Sequence, residues 1–399
     1  MLSQAVVLVG GLGTRLGALT ADTPKPMLPI GDEPFLDILL RNLVRHGFND
    51  ILLLARHNVS KVRDHYETHS IEGVSIQVLE ESHPAGTGGA LREAAPFLQD
   101  VFLLTNGDSL FDFNYLALYE VFLSTQSMVA LSLCEVPDIS RYGQVTLDEL
   151  GNVLSYAEKN GVLGESGLIS GGVYIVSKKI LEMIPSGQIS LETDVMPGLV
   201  QKHAVSGAVF EGYFLDIGLP ESYEQGQREL PEWENRKAVF FDRDGTLNQD
   251  NGYTHRIEDL VFLPDVPQMI RRCNDAGRLV IVLTNQAGIA RGFYTEKEMH
   301  LFHAEMNRQL QKFGAHIDAF YFCPHHPDGV VPELSVKCAC RKPGTAMFEE
   351  ACRDWSIDLG GSILVGDRET DLAAAEAYSI EAYRTDGTNL ASIIRSVEL

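Results

Sequence analysis

This chain of 399 residues has little of what marks membrane, disulfide-stapled or nucleic-acid-binding proteins. No apolar run approaches the roughly 18 residues that a membrane-spanning helix needs. The opening MLSQAVVLVGG lacks the basic segment of a secretory leader and runs straight into a strand-like pattern, so no leader is expected. Six cysteines over this length do not make a disulfide framework. Basic residues are outnumbered, 32 Lys and Arg against 55 Asp and Glu, for a formal net charge of −23. Such a field repels nucleic acid and anionic membrane surfaces. Anionic small substrates would then need metal ions and local Lys or Arg. Low-complexity tracts and internal repeats are also lacking. The expected compartment is the cytoplasm, with neither nucleic acid nor membrane as partner.

What is present is a regular alternation. Hydrophobic residues make up 45% of the chain, enough for two cores of ordinary size. AVVLVG, DILLLA, VFLLTNGD, MVALSLCEV and GVYIVS have the character of strands. DEPFLDILLRNLVRHG carries apolar residues at helical spacing and ends at Gly47, which predicts an amphipathic helix. The rhythm restarts at KAVFFDRDG, continues through RLVIVLTNQ and IDAFYFC, and closes with SILVGDRETD. This predicts an α/β chain of two domains, each a mainly parallel sheet between two layers of helices. The charged stretch ESYEQGQRELPEWENRK, with Pro231 inside it, divides them. The expected limits are a first domain at 1–228, a linker at 229–237 and a second domain at 238–399.

In the first half, Gly10-Gly11-Leu12-Gly13-Thr14-Arg15-Leu16 follows a strand and precedes a short helix. Glycines there let backbone amides approach a polyphosphate. The run is not a Walker loop, because no Gly-Lys-Ser/Thr follows. It is not the dinucleotide fingerprint either, because Gly11, Gly13 and Gly17 are spaced one residue too long. Arg15 can fork onto phosphate oxygens. In Thr23-Pro24-Lys25-Pro26-Met27-Leu28-Pro29 two prolines fix the backbone around Lys25 and hold its charge in place. Asp108 ends the strand VFLLTNGD, and Asp216 follows a short strand in GYFLDIGLPESY. Carboxylates at strand ends lie where open α/β sheets bind ligands, and two of them can chelate one Mg²⁺. Singly, each would more often be a turn or cap residue.

Taken in order, GGLGTRL, TPKPMLPI, PAGTGGAL, NGD, RYGQV, EKN, SGGVYIV, SLETDV and FLDIGLPESY resemble the sugar-1-phosphate nucleotidyltransferase family over nearly all of residues 1–228. The resemblance implies a Rossmann-like fold. It also implies attack of a sugar 1-phosphate oxygen on the α-phosphate of a nucleoside triphosphate, with pyrophosphate leaving. Arg15 and Lys25 would stabilise the transferring phosphoryl group, and Asp108 and Asp216 would hold Mg²⁺. Gly11, Gly13, Thr14, Gly86, Thr87 and Asn106 would line the nucleotide site. Gly143, Glu158 and Gly172 would line the sugar pocket, with Lys159 on the sugar phosphate. Ser170-Gly171-Gly172 stands where the family often has Asn-Ala-Gly.

The second half opens on a strand, Val239-Phe240-Phe241, that ends in Asp242 and then Asp244-Gly245-Thr246. Two aspartates leaving a buried strand are costly unless a cation neutralises them. LVIVLTNQ brings Thr284 and Asn285 to another strand end, and Arg341-Lys342-Pro343 brings cations. SILVGDRETD brings Asp367, with Asp371 four residues on. Asp242 and Thr284 are 42 positions apart (284 − 242), which leaves little room for an inserted cap domain. Between them and Lys342, YFCPHHPDGVVPELSVKCACRKP supplies Cys323, His325, Cys338 and Cys340. Three thiolates and an imidazole suit tetrahedral Zn²⁺ with no open position, hence a structural site. His326 is the alternative to His325, and reduced loop cysteines are the plain alternative to a metal.

Over residues 238–399 these motifs resemble the haloacid dehalogenase superfamily of phosphatases. DRDGTLN, GYTHRIEDLVFLPDV, TNQAGIARGFYTE, YFCPHHPDG and CACRKP resemble its heptose bisphosphate phosphatases, with histidinol phosphatases as near relatives. The resemblance implies a capless fold with a zinc loop and a covalent mechanism. Asp242 would be the nucleophile, and Asp244 would act first as acid and then as base. Thr284 and Lys342 would fix the phosphoryl oxygens, and Asn285 and Arg341 the substrate. Mg²⁺ would be held by Asp242, the Asp244 carbonyl and Asp367. Two departures stand out: Gly344-Thr345-Ala346-Met347 where Pro-Gly-Met is usual, and Arg368 where a lysine is expected.

Together the resemblances imply a bifunctional enzyme of GDP-D-glycero-α-D-manno-heptose synthesis. One half would remove the 7-phosphate of heptose 1,7-bisphosphate. The other would transfer a nucleotidyl group, GMP from GTP, to heptose 1-phosphate. The expected partners are sugar phosphates and a nucleoside triphosphate, and a homo-oligomer stays open. One alternative keeps both reactions but changes the sugar to mannose 1-phosphate or another hexose 1-phosphate, with UTP or CTP. Another is a sugar-nucleotide-binding regulator without turnover, against which the intact carboxylate and lysine sets stand.

Overall fold

The computed structural model describes residues 2–11, 13–156 and 164–397. The chain forms two compact units, Met1–Pro231 and Glu232–Leu399.

In the first unit seven strands make one sheet: β1 Gln4–Leu8, β2 Asp50–Ala55, β3 Ser75–Glu80, β4 Val101–Asn106, β5 Val129–Val136, β6 Gly167–Ser177 and β7 Val205–Val209. Their spatial order is β7-β5-β6-β4-β1-β2-β3. Parallel pairing joins β1 to β2 and β4, β2 to β3, and β5 to β7. β6 runs antiparallel to both β4 and β5. Its apolar run reads the same in either direction, so residue pattern alone does not reveal the reversal. The chain moves outward from β1 to β3 and then returns to place β4 on the other side of β1. The carboxyl ends of β1 and β4 therefore flank a topological switch point. Gly10 and Gly11 leave β1 there, and Gly107 and Asp108 leave β4.

Side chains alternate across this sheet. Val6, Leu52, Leu54, Phe102 and Leu104 share a core with Ala90 and Leu91, while Ala5, Val7, Ile51, Leu53 and Leu103 are equally buried on the other side. The amphipathic helix runs Phe35–Arg45 and buries Leu36, Leu39, Leu40 and Leu43. It starts three residues later than the motif DEPF suggests, because Glu33 and Pro34 pair with Ile30 and Pro29 in a short antiparallel ribbon. The charged divider is helical from Pro220 to Trp233, with Pro231 near its end, and a strand starts at Arg236.

The second unit has five strands, all parallel: β8 Arg236–Phe241, β9 Leu279–Asn285, β10 Ala319–Cys323, β11 Ile357–Gly366 and β12 Glu381–Arg384. Their order is β10-β9-β8-β11-β12. Val239, Phe241, Val280, Val282, Ile363 and Val365 face one core, with the helices Val266–Asp275, Glu296–Leu310 and Leu390–Ser396. Ala238, Phe240, Leu279, Ile281, Leu283 and Leu364 face the other, with Ala346–Asp354 and Glu369–Ala377. The strand order reverses between β8 and β11. Asp242, Thr284 and Asp367 emerge at the carboxyl ends of β8, β9 and β11. Between Asp242 and Thr284 the chain forms a short helical turn at Ile257–Asp259, one helix and loops, with no inserted domain.

Candidate active sites

At the β1–β4 switch point the walls of a cleft include Gly11, Arg15, Asn106, Asp108, Tyr142 and Asp216. One lobe, of about 510 Å³, adds Arg56, Glu81, Gly86, Thr87 and Gly143. The other, of about 320 Å³, adds Gly13, Thr14, Lys25 and Gly172. The fold thus gathers the expected residues of the first half except Glu158 and Lys159, which lie outside the described residues.

Lys25 is buried, with Nζ 2.6 Å from Asp108 Oδ2 and 3.4 Å from Asp216 Oδ1. Its charge offsets the repulsion between two carboxylates brought together from distant segments. The strand pair Ser109–Phe111 and Phe214–Asp216 does the bringing, by setting Asp216 opposite Ser109. The Gly218 amide then donates to Asp216 Oδ1 at 2.8 Å. Two adjacent carboxylates fit a hard divalent cation. Arg15 is exposed and makes no ion pair with any described residue, so its guanidinium is available to a phosphate.

Gly86 has φ +71°, and a Cβ there would lie 2.4 Å from the Ile189 carbonyl oxygen, so only glycine fits. That close approach locks Thr87: its Oγ1 accepts from the Leu191 amide at 2.8 Å and donates to Glu192 Oε2 at 2.7 Å. Thr87 therefore shapes the lobe rather than offering it a free hydroxyl. Glu81 in the same lobe was not among the expected residues. Burial pushes its carboxyl up, against the pull of the Ala85 backbone and Arg56.

The second cavity, of about 230 Å³, is walled by Asp242, Asp244, Thr284, Asn285, Arg341 and Lys342, among others. Lys342 Nζ lies 2.6 Å from Asp242 Oδ1, 2.7 Å from Asp371 Oδ1 and 2.6 Å from the Leu283 carbonyl. Burial works against the ammonium, but Asp242 and Asp371 outweigh it and raise the Lys342 pKa. Burial pushes the Asp242 carboxyl up, against the pull of Lys342, and Asp371 adds to the rise. Asn285 braces the lysine loop, accepting from the Lys342 amide at 3.0 Å and donating to its carbonyl at 3.2 Å.

Asp242, Asp367 and Asp371 offer oxygens that lie within 4.8 Å of one another. Asp367 Oδ1 is buried without a hydrogen-bond partner among the described residues, and burial raises its carboxyl. Gly245, at φ +86°, lets the loop press onto Asp367, since a Cβ would come within 2.6 Å of Oδ2. An orphaned oxygen in a carboxylate cluster fits a divalent cation. The Asp244 carboxylate turns elsewhere. Arg243 Nη2 meets it at 2.7 and 2.9 Å, Asn248 Nδ2 at 3.0 Å and Gln286 Nε2 at 3.0 Å.

Several of these residues carried no signal in the sequence. Arg243 is fully buried, donates to the Thr254 carbonyl at 2.6 Å and lies over the Phe302 ring. A charged residue between two aspartates reads as a solvent-facing one. Asp371 was legible as a neighbour of Asp367 but not as a partner of Lys342. Gln286 had no motif of its own.

Cys323, His325, Cys338 and Cys340 converge with ligand atoms within 4.8 Å. The distances are 3.5 Å for Cys323–Cys338, 3.2 Å for Cys338–Cys340 and 3.3 Å for His325 Nδ1–Cys340. Tetrahedral thiolates about 2.3 Å from one metal stand about 3.8 Å apart, so a modest expansion makes the cage. Burial pushes the Cys323 and Cys340 thiols up. Burial also works against a thiolate at Cys338, but hydrogen bonding from Cys340 and the Arg341 amide holds it below its usual range. His326 stands apart, in the wall of the second cavity, so the group that could hold a metal includes His325 and not His326.

The family described as nucleotidyl transferase matches residues 4–232, and the family described as polynucleotide kinase 3 phosphatase matches residues 237–381. The chain is 34% identical over 220 residues to the D-glycero-alpha-D-manno-heptose 1-phosphate guanylyltransferase of Campylobacter jejuni, covering 55% of this chain and 96% of the relative. It is 44% identical over 144 residues to the D-glycero-alpha-D-manno-heptose-1,7-bisphosphate 7-phosphatase of Photorhabdus laumondii, covering 36% of this chain and 79% of the relative. Among solved structures, HddC from Yersinia pseudotuberculosis complexed with GMP-PN aligns with a TM-score of 0.52 at 34% identity, over 57% of this chain and all of that one. The chain belongs to the nucleotidyl transferase family over residues 4–232 and joins to it, on one polypeptide, a phosphatase of the haloacid dehalogenase type.

Proposed function

We propose that the two units carry out consecutive reactions on one sugar. The second removes the 7-phosphate of D-glycero-α-D-manno-heptose 1,7-bisphosphate. The first joins the resulting 1-phosphate to GMP from GTP and releases pyrophosphate. The observation that carries this reading is the pairing itself: the relatives named 7-phosphatase and 1-phosphate guanylyltransferase match one chain, and the product of one is the substrate of the other.

In the second unit an Asp242 oxygen forms a bond to phosphorus as the bond from phosphorus to O7 breaks. Asp244 gives its proton to the departing oxygen. It then takes a proton from the water that attacks the aspartyl-phosphate, which frees Asp242 and inorganic phosphate. Lys342 and the Thr284 hydroxyl hold the phosphoryl oxygens, and Arg341 binds substrate at the cavity wall. Asp242, Asp367 and the Asp244 carbonyl here, and Asp108 and Asp216 in the first unit, would hold Mg²⁺, which would supply positive charge to the phosphoryl chemistry. Cys323, His325, Cys338 and Cys340 would hold Zn²⁺ with no open position, as a structural site.

In the first unit Arg15 and Lys25 offset charge on the α-phosphoryl group while the sugar phosphate oxygen attacks it. Gly143 and Gly172 line the cleft where the sugar would sit, with Glu158 and Lys159 assigned to it by family likeness alone. Glu81 supports guanine: a carboxylate accepts at once from N1–H and the exocyclic amine, a donor pair that adenine, cytosine and uracil do not present. A reaction that draws on nucleoside triphosphate supports a cytoplasmic location. No described helix is long and apolar enough to cross a membrane.

The test is a one-pot reaction of protein, Mg²⁺, the α-bisphosphate and equal GTP, ATP, UTP and CTP, followed by mass spectrometry. GDP-heptose is the expected dominant nucleotide sugar. Untouched bisphosphate would contradict the sugar assignment. Heptose 1-phosphate without any nucleotide sugar would contradict the role of the first unit.

A further inference from the structure

Gln286 takes no part in the mechanism above, yet it is only 1% exposed and sits at the floor of the second cavity. All of its polar positions are committed. Nε2 donates to Thr284 Oγ1 at 2.7 Å and to Asp244 Oδ2 at 3.0 Å. Oε1 accepts from the Tyr294 hydroxyl at 2.5 Å. Its backbone amide donates to the Cys323 carbonyl at 2.8 Å, which ties it to the neighbouring strand. Tyr294 is itself buried, which pushes its phenol up and keeps it a donor, and His255 stacks on its ring at 4.4 Å.

The neighbours dictate how the amide is turned. Reversed, Oε1 would face an Asp244 carboxylate oxygen at 3.0 Å, acceptor against acceptor. With Nε2 on that side, one amide hydrogen serves each partner. A hydroxyl that accepts a hydrogen bond at its oxygen still has its own hydrogen to give.

We propose that Gln286 is a positioning residue for dephosphorylation. By donating to Thr284 Oγ1 it leaves the threonine hydrogen to point at a phosphoryl oxygen in the cavity. By donating to Asp244 Oδ2 it holds the proton-transferring carboxylate beside the same group. Tyr294 fixes the amide so that both hold together. This role rests on the reading of the second unit as a phosphatase.

The test compares full-length, Mg²⁺-loaded Gln286→Leu, Thr284→Val, the double variant and Tyr294→Phe on heptose 1,7-bisphosphate and on p-nitrophenyl phosphate. Gln286→Leu should lower kcat on the bisphosphate about 100-fold, with KM changed less than about threefold. On the aryl ester, whose leaving group needs little protonation, the loss should be nearer tenfold. The double variant should be no slower than the slower single variant, within about threefold. Tyr294→Phe, which keeps the amide but frees its oxygen, should lose about tenfold, and it carries the test if Gln286→Leu does not fold. Full kcat in Gln286→Leu, or losses that multiply in the double variant, would overturn the proposal. A wild-type protein that cleaves the aryl ester but not the bisphosphate would instead sink the sugar assignment, and the cycle on the aryl ester would still decide the role of Gln286.

Discussion

Lys342 Nζ lies 2.6 Å from Asp242 Oδ1, at the carboxyl end of the central strand of the second unit. The first unit repeats the relationship with unrelated residues, Lys25 Nζ lying 2.6 Å from Asp108 Oδ2. In both, a buried lysine meets an aspartate where the strand order reverses. Under the proposed function, a phosphoryl group arriving there would meet a fixed cation already desolvated by the fold.

Each lysine should therefore serve only its own reaction. Lys342→Met should lower phosphate release by about 10²- to 10³-fold and leave nucleotidyl transfer from supplied heptose 1-phosphate unchanged, while Lys25→Met should do the reverse. Lys342→Met should also destabilise the second unit by about 3–5 kcal/mol, because it strands buried carboxylates. Separate assays of the two half-reactions and denaturant unfolding check this.

The raised Asp242 carboxyl makes stability depend on pH and metal together. Its folded pKa lies above its unfolded one, so its contribution is full below the ordinary carboxylate range and is lost as pH rises through the raised value. A divalent cation favours the ionised form and restores what is lost. The rise in Tm on adding Mg²⁺ should be larger at pH 8 than at pH 5 in scanning calorimetry, and an equal rise at both would contradict it.

The thiol cluster predicts a local effect. Cys338→Ser or a strong zinc chelator should lower the Tm of the second unit, by an amount equivalent to several kcal/mol, and leave that of the first in place. One bound zinc per chain by elemental analysis, lost in Cys338→Ser, is the accompanying expectation.

Much of both sites is legible because strand ends announce themselves. Asp242, Thr284 and Asp367 each close an apolar run, and a parallel sheet puts such ends side by side. Asp216 is harder, since only the pairing of Phe214–Asp216 with Ser109–Phe111 brings it to Asp108. Arg243 and Gln286 were not legible at all: their roles lie in contacts with Asp244, Thr284 and Tyr294 that no local pattern encodes. The reversal of β6 escaped for a related reason, because direction within a sheet is a tertiary property. The charged run before β8 reads as a connector by composition, yet it completes a helix at Trp233 and begins a strand at Arg236.

Glu81 offers a check on the base. Glu81→Gln replaces one of the two acceptors with a donor and should cut kcat/KM for GTP at least about tenfold, while poor use of ATP and UTP changes little. Competition between triphosphates in one reaction measures it directly. An unchanged preference for GTP would remove Glu81 from base recognition.

The most direct measurement is GDP-heptose formation by Asp242→Asn protein, given GTP and either heptose 1,7-bisphosphate or heptose 1-phosphate. The expected result is no product from the bisphosphate and the wild-type rate from the 1-phosphate. Product from the bisphosphate, or none from the 1-phosphate in a folded protein, would contradict the claim that one unit makes what the other consumes.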